Sequence, residues 1–180
     1  MPKNILYLLF VILASITAFS CSKENDLKDI QEYTGPIMEM DSAQTLYSDS
    51  AVVRVKVLAA RQLEFQTGDQ EFPEGFYIEF YLVDGSLSST LRANTGYYSK
   101  EKDLYWGVGN VILKNFEKGE QLNTEELFWN KNEQNVFTEK FVTIESQDEV
   151  LTGEGLTAKQ DFSYYKILRP TGTFSIETAP

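Results

Sequence analysis

The sequence predicts an all-β protein, on three observations. Apolar and polar residues alternate with a period of two from Leu46 onward, turn-forming clusters interrupt the alternation at short intervals, and no segment sustains an i, i+3, i+4 apolar stripe long enough to compete. Successive side chains of a strand point to opposite faces, so this alternation is what one buried and one wet face require.

The N-terminus stands outside that pattern. Met1-Pro2-Lys3-Asn4 carries one positive charge, Ile5 to Phe19 is mostly apolar, and Ala18-Phe19-Ser20 precedes Cys21, the only cysteine. This is the layout of a lipoprotein signal peptide over residues 1–20, with Cys21 as the acylated first residue of the mature chain. A membrane-spanning helix needs about 20 apolar residues, and this run is shorter. Residues 21–44 are polar and acidic, and Gly35-Pro36 breaks any helix there, so they read as anchor and linker. Residues 45–180 form one β domain.

Within that domain Val53, Val55, Val57 and Ala59 alternate with Val52, Arg54, Lys56 and Leu58. The next run sets Phe76, Ile78, Phe80 and Leu82 against Tyr77, Glu79, Tyr81 and Val83, and Asp84-Gly85 supplies a tight turn after it. Further β-type runs are Leu104 to Leu113, Val136 to Ile144 and Phe162 to Leu168. Asn123-Thr124-Glu125-Glu126 has a helix-start composition, but Leu127-Phe128-Trp129 runs into a turn at once, which favours strand. A weak repeat supports the class. Aligning Leu91, Leu122 and Leu151 brings Val111-Ile112-Leu113 opposite Val142-Thr143-Ile144, as expected for hairpins that bury a face only against their neighbours.

Composition removes several functions. The chain has no histidine, and acylation of Cys21 removes its one thiol, so histidine-based nucleophilic sites, disulfides and imidazole zinc sites are excluded. A formal charge of −11, more negative still once Lys3 is removed, argues against nucleic acid and against charge-driven adsorption to anionic headgroups. No cofactor and no metal site is expected. A calcium site at Gly68-Asp69-Gln70-Glu71 offers too few oxygen ligands. Of the acidic residues, Asp84 and Glu154 reside beside glycines and read as parts of turns rather than as catalytic carboxylates. The protein is expected not to be an enzyme.

One series of segments has a familiar order and spacing. It comprises Phe72-Pro73-Glu74-Gly75-Phe76 through Phe80-Tyr81, Leu91-Arg92-Ala93-Asn94 to Gly96-Tyr97-Tyr98, Gly109-Asn110-Val111, Leu122 to Leu127, and Leu151-Thr152-Gly153-Glu154-Gly155-Leu156. Together they resemble the LptC family of lipopolysaccharide export, over roughly Leu46 to Leu168. That resemblance implies an open, twisted antiparallel β-jellyroll, a V-shaped two-sheet sandwich whose apolar interior holds acyl chains. It implies a periplasmic carrier at the inner membrane that takes lipopolysaccharide from an ABC transporter and passes it to a periplasmic bridge protein of the same fold.

By alternation alone, the inward rows Val53, Val55, Val57 and Phe76, Ile78, Phe80, Leu82 would fill a closed core; the resemblance turns the preference to an apolar trough. By the same analogy Tyr165 and Ile167 sit on the strand edge that recruits the next bridge component, with Arg169-Pro170 ending the pairing. The family pattern departs here in one respect, since many members carry a transmembrane helix where this chain offers a lipid on Cys21. The rival reading is an outer-membrane or surface lipoprotein. Ser22-Lys23-Glu24-Asn25-Asp26 resembles a surface-export signal, and Tyr77, Tyr81, Tyr97, Tyr98, Trp106 and Trp129 would form a platform for glycans or proteins.

Overall fold

Every regular element in a computed structural model of the chain, which describes residues 33–172, is a β-strand. In order they are β1 (Met38–Asp49), β2 (Val52–Glu64), β3 (Gln70–Phe72), β4 (Phe76–Tyr81), β5 (Leu87–Ala93), β6 (Thr95–Ser99), β7 (Leu104–Asn115), β8 (Glu120–Asn130), β9 (Asn135–Glu145), β10 (Val150–Lys159) and β11 (Tyr165–Thr171). All pairings are antiparallel, and β7 to β11 form a simple meander. Among the described residues the free edges are β1 and β11.

The jellyroll is one continuous hydrogen-bonded sheet creased across its strands. β2 pairs β4 through Val55 to Leu58 but β3 through Leu63 and Glu64, and β7 pairs β5 through Ile112 to Asn115 but β6 through Leu104 to Val108. At the same level the register slips between Val108 and Val111, between Thr124 and Phe128, and between Glu154 and Leu156. Each slip is a bulge, and a bulged strand bends. The backbone at the crease takes left-handed conformations at Ser42, Gly75, Gly109, Asn110 and Gly155. At Gly75 a side chain is doubly barred, by a φ of 80° and by the Ala93 carbonyl where a Cβ would stand.

The crease divides the sheet into two arms whose inner faces meet. On the first arm a single row runs strand to strand through Val57, Ile78, Leu91, Leu113, Leu122, Ile144 and Leu151. All but Leu151 are buried. These are the repeat positions of the sequence together with their partners, so the repeat marks one row of the core. The second arm carries the row Tyr98, Tyr105, Trp129, Val136, Ala158 and Tyr165.

Three boundaries differ from expectation. β1 begins at Met38 and pairs β2 from Met38↔Glu64 onward, so residues 38–44 belong to the sheet rather than to a tether. Only Met40 and Ala43 turn a partly covered side chain inward over that stretch, which is why its strand character was hidden. The last strand starts at Tyr165, with Phe162 in the preceding loop, and pairing continues through Arg169 and Pro170 to Thr171. An edge strand tolerates proline, so Pro170 does not end it. Gly153-Glu154-Gly155 is no hairpin turn but the crease inside β10. The signal peptide and Cys21 lie outside the described residues.

Candidate functional site

Of the seven residues expected to line a trough, five join the core on the inner face of the first arm. Val55, Val57, Phe76, Ile78 and Phe80 are buried, while Val53 and Leu82 are half-buried towards its outer end. Cross-strand pairing fixes this convergence, with Val55 opposite Phe80 and Val57 opposite Ile78. Phe76 reaches the crease, where its ring lies over Gly96 and touches the Gly107 position of the facing arm.

Aromatic side chains from the second arm fill the space facing them. The Trp129 ring lies 5.3 Å from Phe80 and 5.1 Å from Tyr105, and Phe72 stacks on Tyr105 at 6.2 Å. Tyr47 of β1 packs edge-on to Trp129, and its hydroxyl meets that of Tyr105 at 2.6 Å. Burial, more than any neighbour, pushes the Tyr105 phenol far above its ordinary value, so it stays neutral. Tyr98 is pushed up to about 12, by burial and then by its hydrogen bond to Asp103. Burial alone would raise Asp103, but the Lys131 ammonium at 3.0 Å and the Tyr98 hydroxyl outweigh it and hold the carboxyl below its usual range. Lys131 also sits 4.6 Å over the Tyr47 ring. An ionic cluster therefore caps the aromatic interior at this end, and what lies beneath offers apolar contact and polarizable faces rather than acid–base chemistry.

Among the described residues two clefts lie beside this interior. One of about 510 Å³ lies at the crease, where β2 changes partner, and is floored by Ala59, Gly75, Phe76 and Ala93. The other, of about 220 Å³, lies at the outer end of the arms between Phe80, Leu82 and Ser88 on one side and Gln134, Lys159 and Gln160 on the other.

The remaining candidate residues separate. Tyr165 and Ile167 lie on the free edge of β11, opposite Ala158 and Leu156, and pack partly against the core. The Lys159 N–H donates to the Tyr164 carbonyl, so by antiparallel alternation the backbone groups of Tyr165 and Ile167 face outward from the sheet. The six aromatics of the alternative platform do not share a face. Tyr98 and Trp129 belong to the interior, whereas Tyr97 and Trp106 continue through Phe128 and Phe137 as a stacked ladder on the opposite face of the second arm. Glu154 faces outward and pairs with Arg169 at 3.3 Å, and hydrogen bonds from Ser86 hold Asp84 below the usual carboxylate range.

Sequence reasoning passed over Phe72, Tyr105, Trp129 and Phe162 as interior residues. The signal was present in the alternation of each half strand, but the crease shifts its phase in β8. Thr124 faces inward and, across the bulge, Leu127 and Trp129 do. Against known proteins, residues 7–169 match the family described as lipopolysaccharide-assembly, LptC-related. No curated protein matches the chain.

Proposed function

The chain belongs to the lipopolysaccharide-assembly, LptC-related family, which gives it a role in lipopolysaccharide transport, and from that membership we propose that it is a lipid carrier on the periplasmic side of the inner membrane. It takes lipopolysaccharide from an ABC transporter in that membrane and passes it to a periplasmic bridge protein of the same fold. A lipid on Cys21 would keep the domain beside the membrane that supplies its load.

The observation that carries this reading is the creased sheet itself. Both arms turn apolar rows towards each other, and burying acyl surface between them yields roughly 25 cal/mol per Å². The edges of that sheet, β1 and β11, stand at its opposite ends, so one carrier can receive a strand at one edge and offer one at the other. The charge of −11 opposes an anionic headgroup inside the fold and directs the sugars and phosphates to solvent, where salt screens repulsion beyond about 8–10 Å.

Photocrosslinking amino acids placed in turn at Phe76, Phe80 and Leu82, in cells making lipopolysaccharide, test the reading. Capture of acyl chains at Phe80 and Leu82 is the expected result. Capture of headgroup alone, or of no lipid at any of the three, refutes the carrier.

A further inference from the structure

The outer end of the trough is closed by the loop between β10 and β11, and this closure is built from side chains of the opposite arm. Ser89 Oγ of β5 donates to the Gln160 carbonyl at 3.0 Å, and Asn115 Nδ2 of β7 donates to the Asp161 carbonyl at 2.7 Å. Lys118 Nζ, from the following turn, donates to the Ser163 carbonyl at 2.7 Å. From the second arm itself, Trp129 Nε1 donates to Gln160 Oε1 at 2.9 Å. Ser89 and Asn115 are buried polar residues at the outer end of a mostly apolar face, and each side-chain donor is met by a carbonyl of this loop. Such groups are costly to bury unless paired.

Phe162 is the centre of the loop. Its side chain is fully buried, part of the core, and stacked 4.8 Å from Tyr165. Its backbone has a φ of 56°, a conformation that a bulky residue adopts only when its surroundings impose it. A benzyl group is thus forced into the end of an apolar trough by a strained loop tied down with side-chain hydrogen bonds to its backbone. Beside the bonded residues in the chain, Leu87, Phe116 and Tyr164 are exposed apolar side chains, on a rim that also carries Gln134, Lys159 and Asp161. Hydrogen bonds link these neighbours, from Phe116 N–H to the Ser88 carbonyl and from Lys118 to Ser163.

We propose that Gln160–Ser163 is a releasable latch and that Phe162 occupies an acyl-chain subsite at the mouth of the trough, which an incoming lipid chain takes when the latch lets go. The inference rests on the carrier reading above and adds the route of loading. An apolar chain end can replace the Phe162 ring without loss of buried area, and release removes the backbone strain. Leu87, Phe116 and Tyr164 give the lipid a first apolar contact beside the latch.

The test uses the full chain with Cys21→Ser, purified lipopolysaccharide as the probe, and two readouts. Hydrogen exchange at the Phe162 and Ser163 amides is expected to quicken about tenfold on lipid binding, the worth of one or two hydrogen bonds. Lys118→Cys with Ser163→Cys, joined by a cleavable thiol crosslinker, should bind about a tenth of the lipid bound by the unjoined pair, with binding restored on cleavage. The double substitution Ser89→Ala with Asn115→Ala should open the mouth without lipid and bind an apolar dye severalfold more than the parent. If the joined form binds lipid as well as the unjoined one and exchange does not change, the latch is wrong and the carrier stands. If no form binds lipid, the open double variant included, the carrier reading falls and the latch with it.

Discussion

Trp129 shows how much a single residue organises. It is fully buried, it touches rings from β1, β4 and β7, and its indole N–H reaches the β10–β11 loop. In the sequence it stands only among the aromatics of the alternative platform, and an unbroken period of two from Leu122 would turn it outward, whereas the bulge in β8 turns it inward. The opposite case is Gly96, whose role no spacing rule announces. A Cβ at that position would run into the Phe76 ring, and φ is unremarkable, so the requirement is for space alone. Gly96→Ala is therefore expected to cost about 1–3 kcal/mol by overpacking, measured by urea unfolding. Trimming the ring in Phe76→Leu should recover part of that loss in the double variant, as coupling between touching residues requires.

Among the elements, long strands were legible and their bends were not. Val53 to Ala59 and Phe76 to Phe80 follow alternation because each lies wholly within one arm. β8 and β10 cross the crease, and the bulge there reverses which parity faces inward. A bulge is one extra residue, so in sequence it is indistinguishable from ordinary strand composition; only Gly109-Asn110 and Gly153-Glu154-Gly155 hinted at it. The edge at β11 leads to a direct test. Because the Ile167 N–H points away from β10, Ile167→Pro removes a donor from the free edge without breaking a bond of the sheet. Binding of the bridge component by pull-down should be lost while the circular dichroism spectrum and melting midpoint stay near the parent's. Retained binding would move the partner surface elsewhere, with β1 the other free edge.

For the molecule as a whole, the acidic balance sets the response to pH. Burial would raise Glu79, but the hydrogen bond from Tyr81 and the Lys56 ammonium at 3.0 Å outweigh it, so its carboxyl, like that of Asp103, titrates below the unfolded value. A depressed carboxyl contributes stability above its unfolded pKa of about 4 and loses it as pH falls through the lower folded value. The melting midpoint should thus drop below about pH 4, and Asp103→Asn should lower it at neutral pH while flattening the acid limb. An unchanged acid limb in that variant would remove Asp103 from the account. The fold class and the export family were readable in the chain, since both rest on the order of strands and glycines. The closure of the mouth was not, because it depends on Ser89, Asn115 and Lys118 meeting a loop 45 to 71 residues later.

The unbranched run from β7 to β11 has a kinetic meaning. Each of these strands pairs with the one made just before it, so most of that half is assembled from hairpins with short loops to close, and a chain of this kind gains contacts almost as fast as it lengthens. The slow step then falls on the N-terminal half, where β2 must find β4 and β3 must find β6. A nascent chain emerging from a pore would close the β1–β2 hairpin at once and leave the far edge of β2 open until β4 arrives.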